Sequence, residues 1–222
     1  MLSRVDGRIL PNRWHPAVED RGVYERLHDE LGCDAWLVGR VTGHEFATRD
    51  TPYPLYADAP LGRENWFAVN SADAWAVVLD ASGKIAWGRS DVGGDPLLVV
   101  LTEAALDSHL AGLRADSVSY IIAGEREIDL AAALETLNRE LGIRRLLLEG
   151  GGASNGALLQ AGLVDELSLL IAPTVEGVPG GPAVFDMHGG PGALSEMGMA
   201  LESCQVVEGN VVWLRYRFAW AT

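Results

Sequence analysis

RLLLEGGGASNGALLQA, Arg145 to Ala161, is the stretch from which the rest of this chain is read. Leu146-Leu147-Leu148 runs into Glu149 and has the length and character of a buried strand. Gly150, Gly151 and Gly152 follow, and Ser154 or Asn155 is placed to cap a helix from about Gly156 onward. A strand that passes through glycines into a helix start is where α/β proteins bind ligands. The backbone can approach closely there, and helix-start N–H groups carry a partial positive charge suited to phosphate.

The same alternation recurs on both sides of this stretch. Met1 to Val5 is a short strand ending in an Asp6-Gly7 turn, and Pro11, Asn12 and Pro16 mark a loop. Ala17 to Leu31 has helical spacing in Val18, Val23, Leu27 and Leu31, closed by Gly32. Ala35 to Val38 is an apolar strand that runs directly into Gly39-Arg40-Val41-Thr42. This second junction offers a glycine for backbone approach, an arginine for an anion and a threonine that can cap a helix or meet a phosphate oxygen. Thr48 to Asn65, with Pro52, Pro54 and Pro60, reads as a loop, either a substrate lid or a surface excursion. Strands over Trp75–Leu79, Pro96–Leu101 and Val118–Ala123 alternate with helices over Ala104–Leu113 and Leu130–Leu141, and Asp80 to Gly83 forms a turn. Leu163 to Ala172 is a strand, Glu176 to Gly192 a glycine- and proline-rich loop, and Leu201–Val207 with Val211–Phe218 a hairpin around Glu208-Gly209-Asn210. Continuous apolar strands between helices predict an α/β fold: a mainly parallel sheet covered by helices on both faces, made mixed by the terminal antiparallel hairpin. We expect one domain over 1–222.

Composition excludes several functions. The 222 residues are 48% hydrophobic and 22% charged, as in an ordinary folded domain. The net charge is −14 and Lys84 is the single lysine. Such a surface repels nucleic acid and anionic membranes, so neither is expected as a partner, and a phosphorylated ligand must be met by local arginines and backbone amides. Cys33 and Cys204 match no paired spacing and are expected as two buried thiols in a reducing compartment. No run reaches the roughly 18 apolar residues that span a bilayer and MLSRVDGRIL has no leader core, so the expected location is cytoplasmic. His15, His28, His44 and His109 show no ligand spacing, and no metal site is expected. Of the tryptophans, Trp14 and Trp66 lie in loops and are the two that can stack on a ligand ring.

Known fingerprints test the glycine stretch. A dinucleotide GxGxxG needs glycine where Asn155 stands and an acid where the next strand ends in Ile171-Ala172-Pro173, and no Gly-Lys-Ser/Thr exists for a phosphate loop. Gly152-Ala153-Ser154-Asn155-Gly156 does match GxSxG, with Asp186 and His188 following in the order a serine hydrolase would use. Gly150 and Gly151 set Ser154 further from the strand end than a nucleophile elbow allows, which makes hydrolysis the alternative reading.

Ser3-x-x-Asp6-Gly7-Arg8-Ile9, Trp36-Leu37-Val38-Gly39-Arg40-x-Thr42, Val78-Leu79-Asp80 with Ser82 and Lys84, Leu148 to Asn155, Ala161 to Leu167 and Ala172-Pro173 follow one another in order along nearly the whole chain. In this the chain resembles the reductase domain of riboflavin biosynthesis, the C-terminal half of the bifunctional deaminase-reductase, within the dihydrofolate-reductase-like superfamily. The resemblance implies an NADPH-dependent reductase acting on a pyrimidine- or pterin-like small molecule, of the 5-amino-6-(5-phosphoribosylamino)uracil reductase type. It implies that Gly39, Arg40 and Thr42 open a helix that holds cofactor phosphate, and that Gly150, Gly151, Gly152, Ala153, Ser154 and Asn155 wrap the diphosphate and nicotinamide side. Ser82 and Lys84 would lie beside the adenosine 2′-phosphate. Glu149 would meet the substrate ring, and the proton would come from water or from an acid such as Asp6.

Bland roles stand beside these: Arg40 paired with a surface acid, Thr42 a helix cap, Glu149 a structural acid, Asp6 a turn former, Lys84 a solvated side chain. A homodimer is implied, with the C-terminal strands as its contact. No His-x-Glu with Pro-Cys-x-x-Cys occurs, so the deaminase half is absent and a stand-alone reductase is expected. Met1 falls only two residues before Ser3, closer to the motif than the family pattern has it, and we expect the sequence to begin at an internal methionine. A non-catalytic NADP-binding protein is the remaining alternative.

Overall fold

A computed structural model describes residues 1–9, 21–56, 59–187, 194 and 197–220. In WAVVL, Trp75 to Leu79, every position is apolar and Trp75 through Val78 are buried. Side chains along a strand alternate between faces, so a run buried at successive positions is covered on both. Ala35–Val38 and Leu97–Leu101 are buried in the same way. In chain order the elements are β1 (Leu2–Arg4), α1 (Arg21–Leu31), β2 (Ala35–Gly39), α2 (Arg40–Phe46), β3 (Trp75–Leu79), β4 (Asp91–Val92), β5 (Asp95–Leu101), α3 (Asp107–Ala115), β6 (Ser119–Ile122), α4 (Leu130–Leu141), β7 (Leu146–Leu148), α5 (Gly152–Gln160), β8 (Glu166–Ala172), β9 (Gly198–Val206) and β10 (Val212–Ala219). The mixed α/β class and the C-terminal hairpin are those expected. Hydrogen bonding groups the strands into two sheets, one in each of two compact units.

The unit Cys33–Gly150 holds a parallel sheet in the order β6-β5-β3-β2-β7. The chain lays down β2, β3, β5 and β6 in one direction. It then returns through α4 to put β7 on the other side of β2. α4 is well specified locally: the Asp129 carboxylate accepts from Ala132 N at 3.0 Å at its start, and Gly142 ends it in the left-handed conformation at φ +70°. β4 pairs antiparallel with the start of β5 through Gly93-Gly94, both at positive φ, a two-residue hairpin too short to read from hydrophobic pattern. α3 begins at Asp107 and not at Ala104, because Arg63 takes the carbonyls of Glu103 and Ala105 and holds that segment as a turn.

The long excursion after α2 is tied down at both ends within this unit. Tyr53 Oη donates to Asp116 Oδ2 at 2.6 Å and accepts from Trp87 N at 3.0 Å, while its ring fills the space where Gly112 would carry a side chain. At the far end Asn65 Oδ1 accepts from Ile122 N at 3.0 Å, and Trp66 bridges to Tyr120 and stacks on its ring. Residues 48–53 and 61–66 therefore run as a surface strap from the end of α2 to strand β6. Trp66 spends its ring on Tyr120 and Arg114.

The unit Met1–Gly32 with Gly151–Thr222 holds the second sheet, β1-β8-β10-β9, in which β1 is parallel to β8 and the rest is antiparallel. Val23 and Leu27 of α1 pack with Leu170 and Val211. The part of the predicted first helix before Arg21, and the Pro11–Pro16 loop with Trp14, lie outside the described residues. β8 starts at Glu166, three residues later than expected. β9 is an edge strand of nine residues that exposes Met199, Leu201 and Val206. Cys204 lies on it and is exposed, which corrects the expectation of a buried thiol, since an edge strand has too little packed over it to cover alternate positions. Cys33 is half-buried, and burial pushes its thiol up. No described helix is long and apolar enough to cross a membrane.

The Tyr53 hydroxyl is the checkable joint of the strap. Tyr53→Phe keeps the ring but leaves Trp87 N and the Asp116 carboxylate without their shared partner. We expect a loss of about 1–3 kcal/mol, read as a lower midpoint in denaturant at unchanged slope; an unchanged midpoint would remove the strap from the stability of this unit.

Candidate active site

In a parallel sheet the ligand crevice lies beyond the carboxyl ends of the strands, where the chain reverses its direction of travel across the sheet. Here that place is between β2 and β7. Glu149 N donates to Leu37 O at 2.9 Å, which carries the pairing of these strands one residue past β7. Gly150 then meets the neighbouring backbone: a Cβ on it would stand 2.5 Å from Val38 Cα and 2.6 Å from Gly39 N. A glycine is the residue that allows this approach. It puts the chain leaving β7 against the last residues of β2.

β3 pairs with β2 on the other side, with Leu79 opposite Gly39. Gly39-Arg40, the Asp80–Lys84 turn and Glu149-Gly150 therefore leave adjacent strands at the same edge. Arg40 is exposed, and its guanidinium has no hydrogen bond or ion pair among the described residues. Gly39 is the N-cap of α2 and no side chain caps that helix. Thr42 is thus the third residue of the first turn and not the cap. Ser82 and Lys84 are exposed and also without side-chain partners among the described residues. Glu149 is half-buried. Two cations, a hydroxyl and an uncapped helix start are chemistry that fits phosphate. They belong to a chain whose net charge of −14 repels phosphate elsewhere.

The Asp80–Lys84 turn is held from beneath. Asp80 is 1% exposed, and its Oδ2 accepts from Lys84 N at 2.6 Å and Ile85 N at 2.9 Å. Thr102 donates to Ala81 O from both its backbone N and its hydroxyl, at 2.8 Å each. Gly83 takes φ +63°, and the His109 ring from α3 occupies the place its side chain would need. His109 is 7% exposed and meets the Tyr53 ring edge-on at 5.1 Å. Asp80 Oδ1 and His109 Nε2 are buried with no partner. Leaving such atoms unpaired costs on the order of 1–3 kcal/mol each. Burial holds the His109 imidazole below its ordinary pKa; the charge of Asp80 opposes this and that of Lys84 adds to it. Asp80 is legible from sequence as the start of the turn, but His109 is not tied to it there, since a buried polar side chain under a turn has no spacing signature.

The other expected site residues belong to the unit Met1–Gly32 with Gly151–Thr222. α5 begins at Gly152, not near Gly156, and its N-cap is Gly151 with no side-chain cap. Ser154 and Asn155 lie inside the helix and cap nothing. The Asn155 carboxamide is spent on Val184 O at 2.7 Å, and Gly152 and Gly156 have no room for side chains because Asp186 packs on them. Ala153 is exposed and Ser154 half-buried. The hydrolase reading is not supported. Ser154 sits in a helical turn without the strained φ of an elbow, and Asp186 is engaged by Ala183 N. His188 lies outside the described residues.

Asp6 turns with Gly7 at φ +77° after β1, and its Oδ2 accepts from Glu176 N at 3.0 Å and Gly177 N at 2.9 Å. Those bonds, the one from Gly177 foremost, hold its carboxyl below the usual range. Asp6 is therefore ionised at neutral pH and pins the loop after β8. Among the described residues no group of three or more His, Cys, Asp or Glu is placed to hold a metal ion.

The sequence pattern of the family described as "RibD C-terminal domain" matches residues 1–212. A protein of Archaeoglobus fulgidus named 2,5-diamino-6-ribosylamino-4(3H)-pyrimidinone 5′-phosphate reductase is 40% identical over 76% of this chain and 74% of its own. One of the same name from Methanothermobacter thermautotrophicus is 29% identical over 78% of this chain and 75% of its own. The crystal structure of a pyrimidine reductase-like protein from Corynebacterium diphtheriae shares the fold, with a TM-score of 0.70, at 17% identity, over 99% of this chain and 90% of that one.

The His109 environment makes a pH test. Its folded pKa lies below the unfolded value of about 6.5, so the unfolded state takes up the proton first as pH falls. The stability that neutral His109 preserves is complete above about pH 6.5 and is lost as pH drops toward the folded pKa. Stability measured from about pH 7.5 down to 5.5 should fall less in His109→Phe than in the native chain. Parallel curves would show that His109 is not buried neutral.

Proposed function

Because the chain belongs to the RibD C-terminal domain family, we propose that it is an NADPH-dependent reductase that opens and reduces the ribosyl group of an aminopyrimidine ribosyl phosphate. The observation that carries this reading is one edge of the parallel sheet, where Arg40, Ser82 and Lys84 stand without partners among the described residues and Glu149 follows β7 beside them. The family match runs across both compact units, which supports one reductase domain.

When bound, NADPH would supply the hydride, and the protein's part is binding, orientation and exclusion of water. Arg40 and the amides of the first turn of α2, including that of Thr42, would hold a phosphate of the diphosphate. Ser82 and Lys84 would meet the 2′-phosphate, where a hydroxyl donor and a point charge suit a dianion. Gly150, Gly151, Gly152, Ala153, Ser154 and Asn155 keep the role their resemblance gives them, along the diphosphate and nicotinamide. Glu149 accepts hydrogen bonds from amino or ring N–H groups of the pyrimidine.

The bond between the ribosylamino carbon and the ring oxygen opens, the amine proton passing to that oxygen to leave a C=N; the carbon then gains a hydride and the nitrogen a proton, leaving a ribityl chain. Asp6, ionised and committed to the backbone of Glu176 and Gly177, is a poor proton donor, so water delivers the proton and Asp6 shapes the loop. The two archaeal relatives are named for a 2,5-diamino pyrimidinone, which differs from the uracil form by an amino group in place of the C2 carbonyl; the chain acts on one of this pair. We read it further as a cytoplasmic homodimer. The exposed apolar side chains of Met199, Leu201 and Val206 on edge strand β9 support a contact there.

The test is cofactor and substrate together. NADPH should raise the melting temperature by mass action, and its absorbance should fall only when a ribosylaminopyrimidine phosphate is added. Arg40→Ala should weaken NADPH and NADH by similar factors, of about tenfold for a lost charge-assisted contact. A melting shift without oxidation of NADPH by either pyrimidine would favour a non-catalytic binding protein, and no shift at all would defeat the reading.

A further inference from the structure

Four contacts fix the backbone around Ser82 and Lys84 while leaving their side chains exposed. Asp80 Oδ2 holds the amides of Lys84 and Ile85, Gly83 N donates to Asp80 O at 2.9 Å, Thr102 holds Ala81 O, and the His109 ring lies where Gly83 has no side chain. The histidine and the glycine are complementary in shape: any side chain at 83 would overlap the ring, and the left-handed φ disfavours one in any case. The ring in turn is kept in place by the edge-on Tyr53. A turn specified this completely, whose two outward side chains make no hydrogen bond or ion pair with the described residues, is preorganised for something outside itself.

We infer that His109 is the positioning residue for cofactor choice: its ring beneath Gly83 sets where Ser82 and Lys84 stand, and so sets the preference for a dinucleotide carrying the 2′-phosphate over one without it. This rests on the reading of Ser82 and Lys84 given above. His109 touches no ligand and acts through the turn. Removing the ring lets Gly83, the most permissive residue of the turn, sink toward α3, and Lys84 loses its fixed origin. The diphosphate contacts proposed at α2 start from β2, a different strand from the one that leads into this turn, so binding of the unphosphorylated cofactor should be spared.

Lys84 is the sole lysine of the chain, which gives a direct probe. Dissociation constants for NADPH and NADH are measured by nucleotide fluorescence on the full-length protein, alongside labelling of Lys84 by an amine-reactive reagent read by peptide mass spectrometry. In the native chain NADPH should shield Lys84 and NADH should not. His109→Ala should weaken NADPH about tenfold, leave NADH within about twofold, and lose the shielding. His109→Phe, which keeps a ring beneath Gly83, should restore both. Lys84→Ala should weaken NADPH by a similar factor, and adding His109→Ala to it should cost little more, because the two act in series.

If Lys84→Ala removes the NADPH preference while His109→Ala keeps it, the turn is the phosphate seat but His109 does not position it, and the inference fails alone. Equal weakening of both cofactors in His109→Ala, unrepaired by Phe, would make the ring a packing residue and overturn it as well. Lys84→Ala binding both cofactors like the native chain would take down the seat and the inference together.

Discussion

Gly150 against the backbone of Val38 and Gly39 is the contact on which the candidate site depends. No side chain fits there, and the absence of one lets the chain leaving β7 close onto the end of β2. Because β7 was placed beside β2 only after the chain had travelled out to β6 and back, this contact also marks the reversal point of the sheet. Arg40 starts its helix there, and Glu149 precedes the glycine. A larger residue at 150 would separate the strand ends and disperse the groups that the sheet order collects.

Much of this was legible in the sequence, for physical reasons that differ between elements. β2, β3 and β5 are continuous apolar runs because both their faces are covered, and such runs stand out against any polar background. α4 carries its own start and stop in Asp129 and Gly142, and its expected and observed limits coincide. The start of α5 did not follow from its residues. Ser154 and Asn155 are common capping types, but Asn155 is recruited by Val184 O, a tertiary contact that outweighs local preference. β4 was missed because two residues carry no period, and the start of α3 shifted because Arg63, distant in sequence, holds the preceding carbonyls.

The site residues divide along the same line. Gly39, Arg40, Thr42, Ser82, Lys84 and Glu149 are candidates read from the strand ends and from the family resemblance, and parallel strands deliver what lies at their ends to one edge. Asp80 and His109 were invisible as a pair, since one ends β3 and the other lies in α3, and their significance comes from burial under a single turn. Asp6 is legible as a turn residue with a carboxylate; the two amides that hold it ionised come from residues 176 and 177, far along the chain.

Charge joins the fold to the chemistry. A chain at −14 keeps polyanions away over most of its surface and admits a phosphorylated ligand only where cations are left unpaired. Among the described residues Arg40 and Lys84, at the strand ends, have no ion-pair partner. The most direct test follows the hydride itself: NADPH deuterated at the transferring position of nicotinamide is mixed with enzyme and the ribosylaminopyrimidine phosphate, and the product is weighed by mass spectrometry. The account predicts a ribityl product carrying one deuterium on the carbon attached to the amine. A reduced product without the label, or oxidised cofactor with the pyrimidine unchanged, would contradict it.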